Sequence, residues 1–242
     1  MKNTQNISWI RIAAEAAAIL VSILLAFAID AWWAERLERI DERRSLVRLY
    51  DEFESNRERI DGWISTGRSA YRGLESALHV SELLDAALKN GLDSVSIPDT
   101  QIAALIQTST FEAELPVYEG LVRSGRIEII ENNDIINAIA VWERNLRNTS
   151  EQQLTGRRFV NDQLLPALAS NPHLQHVLLN QFAPVQVAPL DPDGMTEIRV
   201  DPLVVNLVAQ RYFWAALARR SMTATRDSAD QVMFEISKFL EN

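Results

Sequence analysis

Two histidines and two groups of acids are the side chains in this sequence whose types and spacing could do chemistry. His173 and His176 are three residues apart near a predicted helix start, so both imidazoles could face one way and bind a metal ion. Two imidazoles alone rarely form a metal site, and the chain has no cysteine that could add a thiolate ligand. We therefore expect no metal ion and no cofactor.

The acids give little support to an enzyme. Glu112, Glu114 and Glu119 supply three carboxylates, which paired-acid catalysis would have to hold in a cleft at a fixed separation. Asp191-Pro192-Asp193-Gly194 matches part of a calcium-binding loop, but the remaining oxygen ligands are missing and a turn explains it. Because nucleophile, phosphate-binding and zinc-protease motifs are also absent from the sequence, an enzyme of unrecognised type is the least favoured interpretation.

The composition of the chain excludes some classes of protein. With 242 residues, of which 47% are hydrophobic and 24% charged, it is long enough for one folded domain and too apolar to be disordered. The formal net charge of -9 argues against a nucleic-acid partner, because such proteins need clustered Lys and Arg. Only 8 Gly and 8 Pro interrupt the helix-forming residues, and strand-like alternation is nearly absent, so we predict an all-α fold.

An apolar segment near the N-terminus is predicted to cross a lipid bilayer. A short tail, residues 1–11, precedes residues 12–33, which read IAAEAAAILVSILLAFAIDAWW. As a helix this segment extends about 33 Å, enough for a hydrocarbon core of about 30 Å. Trp9 at one end, and Trp32 with Trp33 at the other, are placed where aromatic side chains meet the lipid headgroups. The sequence thus predicts a single transmembrane helix.

A cleaved signal peptide is the alternative interpretation of the same segment. Ala26-Phe27-Ala28 has the small-x-small form of a cleavage site. Glu15 interrupts the apolar region that such a peptide needs, and the helical pattern continues beyond the cleavage point without a turn signal. Both features favour a retained span.

The span also carries small residues that suit helix association in lipid. One of its faces has a small residue at every fourth position: Ala14, Ala18, Ser22 and Ala26. Such a strip lets a second helix approach closely. The neighbouring Glu15 is costly in hydrocarbon, so its carboxyl is expected to face a partner or a cavity, or to snorkel to the interface about a turn away. This pattern predicts a homo-oligomer or a complex with another membrane protein. The alternative is that alanine only fills a moderately apolar span.

The span is predicted to continue into a long amphipathic helix over residues 34–90. Its seam follows the alternating four-three spacing of a coiled coil or long bundle helix: Leu46, Tyr50, Phe53, Arg57, Ile60, Ile64, Gly67, Tyr71, Leu74 and Leu78. Glycines at positions 62, 67 and 73 weaken a helix, so a bend or short break is compatible with the pattern. Asn90-Gly91 then supplies a stop.

The remaining residues, 91–242, are predicted to complete a bundle-like helical domain. The expected helices run over about 99–108, 116–124, 134–169, 172–181 and 201–240, with a kink at Pro166 and with Asn133 as a helix cap. An irregular loop is expected at about 182–200, where prolines are concentrated. It is either a recognition loop or a surface connection.

Two segments carry a resemblance to a known family. Residues 30–36 read DAWWAER at the end of the span, and residues 116–130 read PVYEGLVRSGRIEII. Together they resemble the Asn/Asp-x-Trp-x-Glu-x-Arg junction and the Tyr-Glu-x-Leu-x-x-Ser-Gly segment of a bacterial family of uncharacterised single-span membrane proteins with a C-terminal helical domain of unknown function. The resemblance reaches about Trp142 and implies a location in the bacterial cytoplasmic (inner) membrane.

Orientation is predicted differently by two arguments. The resemblance implies a periplasmic domain, because family members keep a basic N-terminal tail in the cytoplasm. Counting basic residues favours a cytoplasmic domain, since only Lys2 and Arg11 precede the span and five arginines follow it closely: Arg36, Arg39, Arg43, Arg44 and Arg48.

The second family segment contains a group of polar residues: Tyr118, Glu119, Arg123, Ser124 and Gly125. A short helix closed by a left-handed glycine would make these residues a packing corner. A polar recognition cluster is the other interpretation.

These observations favour a membrane-anchored interaction or scaffold protein that self-associates or docks on a membrane partner. A sensor or accessory subunit of a membrane complex is the first alternative, and it requires a ligand pocket in the helical domain. The biological process is not indicated by any motif in the sequence.

Overall fold

Helices dominate the computed structural model, which describes residues 9–65, 70–169, 171, 174, 176–178 and 193–241. In chain order they form α1 (Trp9–Ser65), α2 (Ala70–Lys89), β1 (Ser94–Pro98), α3 (Asp99–Ile106), α4 (Pro116–Arg123), a 3-10 turn (Arg126–Ile129), α5 (Asn133–Phe159), a π-helical turn (Val160–Leu164), α6 (Leu165–Ala169), β2 (Met195–Arg199) and α7 (Pro202–Glu241). The all-α prediction is confirmed, and the described residues add only two short strands to it.

The chain divides into two units. The first combines Met1–Leu49 with Val117–Glu131, and the second combines Tyr50–Pro116 with Asn132–Asn242. The buried apolar side chains of the first unit include Leu46, Leu49, Leu121 and Ile130.

Polar contacts in the first unit join α1 to the segment after α4. Arg126 Nη2 lies 3.2 Å from Asp41 Oδ2, and the Glu131 backbone N–H donates to Glu42 Oε1 at 3.2 Å. Burial raises the pKa of Glu42, and the N–H of Glu131 partly offsets this by stabilising the carboxylate. The buried acid is therefore held by a backbone donor.

The core of the second unit combines side chains from α2, α3, the end of α5, the sheet and α7. Its largest fully buried apolar side chains include Leu84 of α2, Ile97 of β1, Leu105 of α3 and Leu164 of the π-helical turn. These helices and strands are too short or too polar to be stable as isolated peptides. The burial of their apolar side chains against one another, rather than helix propensity, therefore stabilises this unit.

Helices α5 and α7 pack along each other in the second unit. The stripe of Ile135, Ile139 and Trp142 on α5 is buried, and the Trp142 ring meets Phe53 of α1 edge-on with 4.8 Å between ring centroids. Further along α5, the buried hydroxyls of Thr149 and Thr225 share a hydrogen bond of 2.8 Å. Helix α5 thus contacts α1 through aromatic rings and α7 through a buried polar pair.

The helix starts follow capping chemistry, with one correction. Asp201 Oδ1 accepts from the Leu203 N–H at 2.7 Å, as the predicted start of the closing helix requires. The predicted cap Asn133 is wrong: the cap is Asn132, whose Oδ1 accepts from the N–H of Asp134 at 2.8 Å and of Ile135 at 3.3 Å. Two adjacent asparagines offer the same chemistry, and only the backbone conformation selects one.

The predicted irregular loop at 182–200 is corrected at its end. Residues 195–199 form β2, which pairs antiparallel with β1 so that Ile97 faces Thr196 and Val95 faces Ile198. Thr196 and Ile198 are buried while their neighbours along the strand are exposed. The sequence therefore has the alternation of buried and exposed residues that is typical of a strand, but over five residues only. Residues 182–192 of the predicted loop, and Pro172 and His173, lie outside the described residues.

Within the predicted helix over 34–90, the structure describes parts of two helices. α1 ends at Ser65 and α2 begins at Ala70, and residues 66–69 lie outside the described residues. The heptad seam is buried in α1 at Leu46, Phe53 and Ile60, but α2 leaves Leu78 44% exposed. The side chains that α2 buries instead are Ala77, Val80, Leu84 and Ala87. The buried faces of α1 and α2 therefore follow different registers of the heptad seam, because each helix packs on different neighbours.

Candidate functional site

The N-terminal part of α1 presents a continuous apolar surface. α1 contains a segment long and apolar enough to cross a membrane, and none of its most apolar stretch is buried within the chain. At least half of the surface of each of these large side chains is exposed: Ile19, Leu20, Val21, Ile23, Leu24, Leu25, Phe27 and Ile29. A soluble protein rarely exposes so large a patch, so this surface needs a partner or lipid.

The end of this apolar surface carries aromatic and basic side chains. Trp32 and Trp33 are more than half exposed, with their ring centroids 6.3 Å apart. The Arg36 guanidinium carbon lies 5.7 Å from the Trp32 ring centroid, within the range of a cation–π contact. This arrangement suits a lipid headgroup region.

The predicted small-residue strip lies on the exposed surface of α1. Ala18, Ser22 and Ala26 are all exposed, as is Glu15. Ala14 lies in α1, but its side chain is outside the described residues. The Ser22 hydroxyl donates to the Ala18 carbonyl at 2.8 Å, so it is satisfied inside its own helix. The strip therefore consists of small side chains, and its hydroxyl already has a hydrogen-bond partner in the same helix, so a second helix can approach closely.

The predicted cluster at α4 belongs to an exposed helix end. Glu119 and Arg123 form an ion pair one turn apart, and both side chains are largely exposed. The Ser124 hydroxyl donates to the Gly120 carbonyl at 2.7 Å, and Gly125 has a φ of 70°, the left-handed conformation expected after a helix. Tyr118 is half-buried in the same helix. The local geometry is that of a helix cap.

Two of the three acids considered for catalysis form ion pairs with arginines. Glu114 Oε1 lies 3.2 Å from Arg59 Nη2, and Glu119 pairs with Arg123 in the other unit. Glu112 is exposed, and its backbone carbonyl accepts from Arg59 at 3.0 Å. Among the described residues, none form a group of three acids or histidines that could hold a metal ion.

His176 contacts a buried acid that the sequence did not indicate as a site. Asp99 is 2% exposed; its Oδ2 lies 2.7 Å from His176 Nε2, and its Oδ1 accepts from the Thr196 hydroxyl at 2.6 Å. The Asp99 backbone N–H donates to the Gly194 carbonyl at 2.9 Å. These bonds attach the start of α3 to β2, so the group joins elements far apart in sequence.

The connection between α3 and α4 is held by polar side chains from two helices, α1 and α5. Asn56 of α1 forms two bonds with the Glu114 backbone, donating to its carbonyl at 2.7 Å and accepting from its N–H at 2.9 Å. Gln153 Oε1 of α5 accepts from the Phe111 N–H at 2.8 Å. Buried backbone outside helices needs such partners, and these side chains supply them.

Arg211 of α7 is a buried cation beside the same connection. Its side chain donates to the Leu105 carbonyl at 2.9 Å and to the Gln107 carbonyl at 3.0 Å, so it caps the C-terminal end of α3. Burial lowers the pKa of Arg211 to about 10, and no carboxylate of a described residue offsets that effect. The side chain therefore stays charged at neutral pH without a counter-ion among the described residues.

A cavity of about 30 Å³ lies next to these residues in the second unit. Polar and aromatic side chains line it: Trp63, Ser109, Gln153, Arg157, Arg211 and Trp214. Three buried polar atoms on its walls have no hydrogen-bond partner among the described residues, namely Trp63 Nε1, Ser109 Oγ and Gln153 Nε2. We call this the polar cavity.

Sequence patterns contain a signal for two of the polar-cavity residues. Arg211 follows Leu207 and Val208 on the buried stripe of α7, and Gln153 lies on the buried face of α5 that includes Trp142. A polar residue at a core position of an amphipathic helix indicates a specific interior contact. Trp63 and Ser109 carry no comparable signal because neither position belongs to a clear apolar stripe.

Comparison of the chain with family models, curated proteins and solved structures gives no match. The resemblance to the bacterial single-span family therefore stays a prediction.

Proposed function

We propose that this chain is a single-span protein of the bacterial inner membrane, related to the family it resembles, and that it acts as an interaction or scaffold protein. One observation carries the proposal: the apolar side chains of α1 between Ile19 and Ile29 are exposed along the whole segment. Lipid can cover such a surface without leaving backbone N–H and C=O groups unpaired, because the backbone groups within a helix are hydrogen-bonded to one another.

The proposed association surface is the strip of Ala14, Glu15, Ala18, Ser22 and Ala26. Three of these are small residues with exposed side chains, Ala18, Ser22 and Ala26, so a second helix can approach to backbone contact. Glu15 belongs to the same strip and is exposed, and an ionisable group in hydrocarbon is usually placed toward a protein partner. The partner is a second copy of this chain or another membrane protein.

Crosslinking from Ser22 tests this assignment. A photoreactive residue at position 22, in native membranes, should capture a protein, and a second copy of this chain is the result expected of a scaffold. The matched control places the same group at Leu24, which lies about 200° around the helix from Ser22 and is also exposed. Capture of lipid alone from both positions would contradict the assignment and would mean that α1 only anchors the chain in the membrane.

A sensor or accessory subunit of a membrane complex is the second candidate. The observation that favours it is the polar cavity, because a sensor needs a place for a ligand. Capture of a different membrane protein from position 22 would support this candidate over a homo-oligomeric scaffold. An enzyme has less support, since Glu114 and Glu119 are both in ion pairs.

The side of the membrane that holds the second unit follows from labelling. The chain contains no cysteine, so a single Glu151→Cys replacement on the exposed face of α5 gives one reactive thiol. Labelling of intact spheroplasts by a membrane-impermeant maleimide supports the periplasmic orientation implied by the family resemblance. Labelling only after lysis supports the cytoplasmic orientation given by the count of basic residues.

A further inference from the structure

We propose that the polar cavity binds the carboxylate group of a small organic acid, held by Arg211, Gln153 and Trp63. This site lies wholly in the second unit and does not depend on how α1 is anchored. The inference therefore goes beyond the proposed membrane role and can fail independently of it.

Charge is the first reason for an anion. Arg211 is 5% exposed, and among the described residues it donates to the uncharged carbonyls of Leu105 and Gln107. Arg157 lines the same cavity and donates to the Thr110 hydroxyl at 2.9 Å, which is also uncharged. None of the ion pairs among the described residues includes either arginine. A buried cation without a counter-ion is costly, and a bound anion would remove that cost.

Unpaired donors are the second reason. Gln153 is 4% exposed, and because its Oε1 accepts from Phe111, the amide orientation is fixed with Nε2 as the free donor. Trp63 Nε1 can only donate, and Ser109 Oγ can donate or accept. Two of these three unpaired atoms can only donate, as recognition of an oxyanion requires.

Size selects the kind of anion. A cavity of about 30 Å³ has room for about two water-sized groups, which matches the two oxygens of a carboxylate. The cavity is partly open to solvent, so the rest of an organic acid can extend outward. Trp63 and Trp214 are the aromatic residues that line it.

Calorimetric and thermal-shift titrations of the full chain in detergent test the proposal. Sodium formate and sodium acetate should each give saturable heat and raise the unfolding temperature, because a ligand that binds only the folded state stabilises it. Sodium phosphate and sodium chloride at matched ionic strength are the controls. No saturable response to formate or acetate, or an equal response to chloride, would overturn the proposal.

Gln153→Glu places a carboxylate inside the polar cavity while keeping an oxygen for the Phe111 N–H. This variant should lose the response to formate and unfold at a higher temperature than the wild type, because the new carboxylate neutralises the arginines. A formate response unchanged from the wild type would contradict the assignment of this cavity.

A pair of tryptophan replacements keeps the test valid if the Gln153 variant does not fold. Trp63 Nε1 and Trp142 Nε1 are both buried without a hydrogen-bond partner among the described residues, but only Trp63 lines the polar cavity. Trp63→Phe should weaken formate binding about tenfold by removing one donor to a charged group. Trp142→Phe should leave the affinity for formate unchanged, and equal affinities in the two variants would place the ligand elsewhere.

Discussion

Two parts of this chain use similar apolar residues in opposite ways. Between Ile19 and Ile29, α1 exposes its leucines, isoleucines and phenylalanine on every face. In the second unit, side chains of the same types, such as Ile135, Leu164 and Val208, are completely buried. The difference lies in what covers them: other helices cover the second group, and no described residue covers the first.

Polar residues show the same contrast. The apolar part of α1 has one hydroxyl, Ser22, which is satisfied by its own helix, as a segment surrounded by lipid requires. The second unit instead buries Asn56, Gln153 and Arg211, whose partners are distant in sequence. A segment suited to lipid needs only local bonds, whereas a helical domain with irregular connections needs long-range ones.

Tryptophan replacements should show this contrast most strongly. Trp142 is fully buried against Phe53, so Trp142→Ala should lower the free energy of unfolding by about 3–5 kcal/mol. Trp32 is 57% exposed, and Trp32→Ala should leave the unfolding of the second unit unchanged. Thermal unfolding in detergent, followed by circular dichroism, compares the two. Equal losses of stability would mean that the two aromatic side chains have similar surroundings.

A charge introduced into the apolar part of α1 should impair membrane insertion, although the removal of Trp32 nearby leaves the second unit stable. Leu24→Arg places a cation near the middle of the predicted span, at a cost of about 2.5–3.5 kcal/mol for insertion. The control, Leu37→Arg, changes a similarly exposed leucine beyond the span. Cell-free synthesis in the presence of membrane vesicles should show reduced insertion for position 24 only. Equal insertion of both variants would contradict a lipid location for this segment.

Loss of one interior amide should have an intermediate effect. Asn56→Ala removes both hydrogen bonds to the Glu114 backbone and leaves its N–H and carbonyl unpaired, so we expect a loss of about 1–3 kcal/mol in the free energy of unfolding. Asn145, whose single bond to the Ala224 carbonyl is exposed, is the matched control. Denaturant unfolding of Asn145→Ala should differ little from that of the wild type, and similar losses in both variants would show that the amide of Asn56 has no special role.

The smallest change is expected from the first unit. Burial raises the pKa of Glu42 above its unfolded value, so the folded state holds this proton more tightly and the contribution of Glu42 to stability falls as the pH rises through the raised pKa. Glu42→Gln keeps an acceptor for the Glu131 N–H and removes the charge, so stability at neutral pH should rise slightly. Exposed Glu38→Gln is the control, and the difference between the two variants should disappear at acid pH. A pH dependence unchanged from the wild type would contradict the burial of a charged Glu42.

Much of the fold could be predicted from local patterns. The helix over Pro116–Arg123, its left-handed Gly125 and the start of the last helix at Asp201 each follow from a few neighbouring residues. The pairing of β1 with β2 could not be predicted, because the two strands are five residues each and lie about a hundred residues apart in the chain. The register of α2 was also missed, since its buried face depends on which helices pack against it.

The candidate sites divide in the same way. The apolar segment of α1 and its strip of small residues could be found from sequence because composition and helical period alone define such a surface. The polar cavity could not, because Trp63, Gln153 and Arg211 come from three helices and meet only in the folded second unit. Hydrophobic periodicity marks where a helix is buried but gives no information about which polar side chains converge.

Extraction of native membranes with alkaline carbonate tests the central claim most directly. If α1 spans the bilayer, the full chain should stay in the membrane pellet after carbonate treatment and should be released by detergent. Release of the intact chain into the carbonate supernatant would contradict a transmembrane α1 and would require another partner to cover its apolar surface.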